Sequence, residues 1–176
     1  KKFTITSNHK NDNAISLYQK LVFNILKKNS KQIFLCRETL FSKIILGTAN
    51  FQNVYGIRKK IIKKKEIKSI LKNAKKYNIK YLDTASNYGQ SESILGKSKI
   101  NNFEIISKLP EINRNEKKIK LSLYKKLRET LQKTNKNYLY GYLVHEPKDL
   151  LTKNGKIIIR TLNEFKKKKL IKKIGI

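Results

Sequence analysis

Four side chains in this sequence could together move a proton: Asp83, Tyr88, Lys108 and His145. A phenol is a poor acid in water. A lysine ammonium beside it, itself held by a carboxylate, would stabilise tyrosinate and make the Tyr88 hydroxyl a stronger donor, while the His145 imidazole could hydrogen-bond the oxygen that receives the proton. Such a set suits proton delivery to a carbonyl oxygen in a partly dry pocket. Taken singly, each residue has a plainer explanation. Asp83 before Thr84 would cap a turn, Tyr88-Gly89 is an ordinary turn pair, Lys108 is one lysine among many, and His145 before Glu146-Pro147 would be a loop histidine. What favours chemistry is their joint placement at the ends of successive strands.

Those strands follow from the apolar pattern. Residues 43–47, 81–85, 103–108, 138–145 and 172–176 read as buried strands. Between them, 66–77 places Ile67, Ile70, Leu71 and Ala74 on one helical face, 91–96 starts a short helix, 115–133 repeats Ile119, Leu123, Leu127 and Leu131, and 156–168 carries Ile158, Leu162 and Phe165. Strands alternating with helices predict an α/β fold with a parallel sheet. A doubly wound sheet would advertise a glycine-rich phosphate turn after its first strand, and Leu46-Gly47-Thr48-Ala49-Asn50-Phe51 is neither G-x-G-x-x-G nor a P-loop. The polar residues ending the strands favour a (β/α)8 barrel, whose strand ends open on one catalytic face; with a full barrel needing about 250 residues, this would be one truncated after about five strands. Ahead of it, 3–6 and 33–36 read as strands and 11–21 as a helix, a short α+β stretch. The expected division is 1–40 and 43–176.

Composition bounds the class. The chain has 176 residues, 39% hydrophobic with seven Phe and nine Tyr, enough for a core. It contains no methionine and begins Lys1-Lys2-Phe3, so it reads as a piece of a longer protein, expected to be inactive by itself. Lys and Arg number 42 against 12 Asp and Glu, a net charge of +30. Only Arg37, Arg58, Arg114, Arg128 and Arg160 are arginines, and the lysine runs at 63–65 and 166–169 lie on polar sides or ends of helices without interleaved aromatics. The charge therefore reads as coding bias towards Lys, Asn and Ile. A specific nucleic-acid site, the alternative, would show arginine forks or stacking aromatics. No apolar run approaches the roughly 18 residues of a membrane helix. The lone Cys36 suits a reducing compartment, the cytoplasm by default, and with His9 and His145 it gives no metal-ligand spacing.

The ordered pieces Leu46-Gly47-Thr48-Ala49 with Tyr55-Gly56, the run from Leu82-Asp83-Thr84-Ala85-Ser86-Asn87-Tyr88-Gly89-Gln90-Ser91-Glu92 to Leu95-Gly96, Ile106-Ser107-Lys108, Leu143-Val144-His145 and 171–176 resemble the signatures of the aldo-keto reductases. Over residues 43–176 the resemblance implies a (β/α)8 barrel and NADPH-dependent reduction of an aldehyde or ketone, with similarity to a branch tied to sugar metabolism. It implies a catalytic tetrad at Asp83, Tyr88, Lys108 and His145, and cofactor contacts from Gly47, Thr48 and Asp83. It also implies that most of the NADP(H) site lies on strands beyond Ile176. Lys169 departs from the family's usual glycine after the helix, where a left-handed residue costs a non-glycine side chain roughly 1 kcal/mol.

Residues 11–23, Asn-Asp-Asn-Ala-Ile-Ser-Leu-Tyr-Gln-Lys-Leu-Val-Phe, are similar to a segment near the end of GNAT-family N-acetyltransferases. That resemblance implies acetyl-CoA as a cofactor of the parent domain, Tyr18 as the acid to the departing thiolate and Asn11 as a CoA contact; Val22 replaces the family's glycine. A plain amphipathic helix with Ala14, Leu17 and Leu21 on one face explains the same residues.

Overall fold

A strand apolar on alternate residues and a helix apolar on one face can each bury that face only against the other. The chain solves this repeatedly. The computed structural model describes residues 3–8, 12–13, 16, 23–28, 32–37, 44–51, 54, 61–98, 100–113 and 116–176. It divides into two units, residues 1–44 with 76–79 and residues 45–75 with 80–176.

The first unit holds β1 (Phe3–Asn8), β2 (Phe23–Lys28) and β3 (Gln32–Arg37), an antiparallel sheet in the order β1-β3-β2. β2 is a strand that the sequence pattern does not announce. Its register against β3 shifts between Ile25 and Lys27, and a bulge of that kind breaks the alternation by which strands are recognised. Of the expected helix over 11–21, only residues 12, 13 and 16 are described; they are helical and exposed. Asn11, Tyr18 and Val22 lie outside the described residues.

In the second unit β4 (Ile45–Gly47), β5 (Tyr81–Asp83), β6 (Glu104–Leu109), β7 (Leu139–Val144) and β8 (Ile171–Gly175) form a five-stranded sheet in sequence order, every neighbouring pair parallel. Between them run α1 (Lys64–Lys76), α2 (Ser91–Gly96), α3 (Ile119–Thr134) and α4 (Gly155–Lys167). This is the expected α/β architecture. The elements follow the apolar pattern closely; α3 starts at Ile119 because 116–118 offer Glu-Lys-Lys and nothing to bury.

Each helix turns its apolar stripe inward: Ile67, Leu71 and Ala74 of α1, Leu123 and Leu127 of α3, Ile158, Leu162 and Phe165 of α4. They cover Leu82, Ile105, Leu139 and Ile171 of the sheet, all fully or nearly fully buried. Burial of such side chains is worth about 1.5–3 kcal/mol each. The N-terminus of α1 is closed by Glu66, whose Oε2 accepts the Lys63 N–H at 2.8 Å, the reach-back half of a capping box. α2 and α3 approach so closely at Gly96 that a Cβ there would lie 2.1 Å from the Lys133 carbonyl oxygen. The alternate residues Ile45, Tyr81, Asp83, Glu104, Ile106 and Lys108 stand on the other face of the sheet and keep part of their exposure.

α3 and α4 end alike. After α3, Asn135 has φ 53° and the Lys136 N–H reaches back to the Leu131 carbonyl; after α4, Lys169 has φ 59° and the Leu170 N–H reaches back to Phe165. Both are Schellman closures with a left-handed residue. Asparagine tolerates that conformation; lysine does not share its local compensation. Lys169→Gly is therefore expected to raise unfolding stability by about 1 kcal/mol, read as a higher urea midpoint with an unchanged slope; an unchanged or lower midpoint would show that the turn carries no strain.

Candidate active site

Because the strands are parallel and in sequence order, the ends of β4, β5, β6 and β7 open at one edge of the sheet, and the loops leaving them carry the polar residues. Asp83 closes β5 and pairs in register with Ile106 of β6. Lys108 stands two residues farther along β6 and so on the same face. Its Nζ donates to both carboxylate oxygens of Asp83, at 2.6 and 2.7 Å, and to the Thr84 carbonyl at 3.1 Å. An ammonium has three N–H bonds, and all three are engaged. The Lys108 side chain keeps 16% of its exposure and that of Asp83 30%, so the pair is half sheltered but open on one side.

Tyr88 sits on the turn between β5 and α2. Its N–H donates to the Ala85 carbonyl at 3.0 Å, and the Ser91 N–H donates to the Tyr88 carbonyl at 3.0 Å. Gly89 takes φ 54°, a left-handed conformation that glycine adopts at little cost. The Tyr88 ring lies under the ammonium, with Lys108 Nζ 5.0 Å from its centroid. The His145 ring meets it edge-on, with centroids 6.1 Å apart and planes at 88°. His145 follows β7 directly, and its N–H continues the parallel ladder by donating to the Leu109 carbonyl at 3.1 Å. Its Nδ1 is buried without a hydrogen-bond partner, while the residue as a whole keeps part of its exposure. The four residues expected from the sequence are thus brought together in one place.

Gly47 and Thr48, expected as cofactor contacts, occupy different environments. Gly47 ends β4 on the exposed side, and a Cβ built there would meet nothing within 4 Å, so a flat group can approach its backbone. Thr48 is fully buried, and both its N–H and its hydroxyl donate to the Asp83 carbonyl at 2.9 Å. Its hydroxyl is therefore committed to holding the end of β5. Gly47 thus fits the close approach of a ring beside Asp83, whereas Thr48, with no exposed surface, supports the site from behind. Tyr55 and Gly56 of the sequence signature lie outside the described residues. Among the described residues no group of three His, Cys, Asp or Glu is placed to hold a metal ion, and no helix is long and apolar enough to cross a membrane.

A polar layer on the helix-covered side of the sheet escaped the sequence reading. The Ser91 hydroxyl donates to the Thr48 carbonyl at 2.7 Å, and the Ser107 hydroxyl to Glu92 Oε1 at 2.7 Å; all four residues are buried. A further tie runs from the Ile112 N–H to Asp149 Oδ2 at 3.0 Å, joining the loops after β6 and β7. An acid in the first turn of a helix normally reads as a solvated charge at the dipole. The available signal was that Glu92 lies three positions before Leu95, on the buried side of α2.

A scan against protein-family models matches residues 43–176 to the aldo/keto reductase family. No curated protein matches the chain. Among solved structures it is similar to a proposed aldo-keto reductase from Pseudomonas aeruginosa, with 24% identity over 72% of this chain and 52% of that one and a TM-score of 0.60. It is also similar to an aldo-keto reductase from Bacillus halodurans in its holo form, with 16% identity over 88% and 49% and a TM-score of 0.59. A third is an aldo-keto reductase from Klebsiella pneumoniae in complex with NADPH, with 16% identity over 74% and 44% and a TM-score of 0.56. At these identities the likeness shows a shared fold, and the chain spans about half the length of the structures it matches. None of these comparisons supports an acetyltransferase tail at residues 1–40.

Burial pushes the Glu92 carboxyl up from its ordinary value, and the Ser107 hydrogen bond and the Lys133 charge offset this only in part. A carboxyl raised in the folded state contributes stability that is complete below its unfolded value and lost as pH rises through its folded value. Glu92→Gln is neutral at every pH. Its thermal midpoint relative to wild type is expected to climb between pH 4.5 and pH 8, and a difference that is flat across that range would refute the sheltered carboxyl.

Proposed function

Because the chain belongs to the aldo/keto reductase family through residues 43–176, we propose that these residues carry the catalytic half of a barrel that reduces an aldehyde or ketone, with residues 1–40 forming a separate domain. The observation that supports this most directly is the Lys108–Asp83 ion pair set against the Tyr88 ring, with His145 at the ring's edge. In this reading the cofactor is NADP(H), which supplies the hydride that reaches the carbonyl carbon. The Klebsiella pneumoniae relative, in complex with NADPH, supports that choice.

The work of this chain is to hold the carbonyl and deliver a proton. Tyr88 donates its phenolic proton to the carbonyl oxygen as negative charge develops there, and the product is an alcohol. Lys108 opposes the charge left on the phenolate; Asp83 fixes the ammonium so that no reorganisation is needed when that charge appears. His145 offers Nε2 to the same carbonyl oxygen and orients it. Gly47, bare on its exposed side, and Asp83 border the space where the nicotinamide would lie, and Thr48 keeps Asp83 in place from below. The substrate is a small carbonyl compound, with a sugar-derived one suggested by the branch of the family that the signatures resemble.

The net charge of +30 is spread over lysines without arginine forks, so the proposed partners are small molecules and not a specific nucleic acid. The single cysteine and a nicotinamide-dependent reaction suit a reducing, cytoplasmic setting. Acetyl-CoA has no part in this reaction.

Tyr88→Phe in the full-length gene product should lower kcat for reduction of small aldehydes at least 100-fold, the scale of general acid catalysis, while NADPH still quenches protein fluorescence with near-unchanged affinity. Wild-type turnover in that variant would overturn the assignment.

A further inference from the structure

Tyr88 is carried on a turn, and a turn by itself does not hold a hydroxyl to the tolerance that proton transfer needs. Misplacement by about 1 Å can cost about a hundredfold in rate. The residues that fix this turn come immediately after it. Ser91 and Glu92, three and four positions beyond Tyr88, open α2, and both are buried to within 2% of complete. They point to different strands. Ser91 donates to the Thr48 carbonyl beyond β4, and Thr48 in turn donates twice to the Asp83 carbonyl at the end of β5. Glu92 accepts from Ser107 of β6, the residue before Lys108.

Strand alternation gives this second tie its consequence. Ser107 and Lys108 project from opposite faces of the sheet, Ser107 towards the helices and Lys108 towards the site. One peptide unit of β6 thereby carries the ammonium on one side and the anchor of the Tyr88 segment on the other. α2 has only six residues, and Gly96 at its far end packs against the backbone of α3. The segment from Tyr88 to Gly96 is thus pinned at both ends. Glu92 Oε2 and the hydroxyl of Tyr142 make no hydrogen bond of good geometry; the Ser107 hydroxyl supplies the short bond to the Glu92 carboxylate, with Thr130 and the Lys133 charge also close to it.

We infer that the Glu92–Ser107 and Ser91–Thr48 hydrogen bonds make Ser91, Glu92 and Ser107 positioning residues, which set the Tyr88 hydroxyl against Lys108 and the substrate oxygen. The inference rests on the reductase reading above. None of the three touches the reacting atoms; each acts through the turn or the strand. Glu92 is used here for its oxygen as an acceptor and for its length, not for its charge, so glutamine serves in its place and alanine does not.

The experiment compares Ser107→Ala, Glu92→Ala, Glu92→Gln, their double variant Glu92→Ala/Ser107→Ala, and Tyr88→Phe, all in the full-length gene product and all normalised to NADPH-binding sites. Ser107→Ala and Glu92→Ala should each lower kcat about tenfold with KM for the carbonyl substrate and NADPH affinity within about twofold of wild type. The double variant should be no worse than either single one, because both remove one bond. Glu92→Gln should keep at least half of wild-type kcat. If Glu92→Ala does not fold, Ser107→Ala carries the test alone, since it removes one small hydroxyl. A merely structural role would lower the thermal midpoint and the yield of binding sites but leave kcat per site at the wild-type value, and that result overturns the inference. So does equal loss in Glu92→Gln and Glu92→Ala. If these variants match wild type while Tyr88→Phe is dead, only the positioning role fails; if Tyr88→Phe is active, the reductase reading fails and takes this inference with it.

Discussion

The fixed point of this molecule is the Lys108 ammonium. Half sheltered from water, it would be costly without partners, and it has a full set: two oxygens of Asp83 and the carbonyl of Thr84. Those acceptors lie on the neighbouring strand, so the bond set can exist only if β5 and β6 run parallel, in the observed register, and end near each other. Asp83 opposite Ile106 and Lys108 two residues on satisfies that. The ring of Tyr88 then has a positive charge to lie against, and the His145 ring, carried one strand farther on, meets it edge-on. Move any one strand by a single residue and its side chains change face.

The sheet serves this site from both sides. The open face carries Asp83 and Lys108; the covered face carries the apolar core together with a thin layer of paired polar groups. Buried hydroxyls and a buried carboxyl are expensive unless hydrogen-bonded. Here they are placed where they join the loop bearing Tyr88 to the strands bearing Asp83 and Lys108. The loops after β6 and β7 are joined in the same way by Asp149 and the Ile112 N–H. Position is supplied by backbone pairing and short local bonds, and the high lysine content of the surface plays no part in it.

How much of this was legible in the sequence depended on which physical effect left a trace. α1, α3 and α4 were legible because a 3.6-residue apolar period survives any choice of polar partner: Ile67, Leu71 and Ala74 are buried whatever occupies the surface. The parallel strands were legible as short apolar runs between those helices. β2 was not, since its bulge shifts the alternation at Ile25–Lys27. Ser107 and Glu92 were not legible as a pair either, because a serine in a strand and an acid at a helix start each have a solvated explanation. Only their placement on one covered face makes them partners.

The sequence by itself determined the succession of strands and helices from residue 43 onward, and it put Asp83, Tyr88, Lys108 and His145 at or just past successive strand ends. Periodicity is a local property, written residue by residue. Tertiary structure decided the rest: that the Asp83 carboxylate and the Lys108 ammonium meet at 2.6 Å, that the Thr48 hydroxyl is spent on the Asp83 carbonyl, and that the His145 ring meets the Tyr88 ring edge-on. Each of these joins residues far apart in the chain, and the distance between such residues is set by register and packing, which no single stretch of sequence contains.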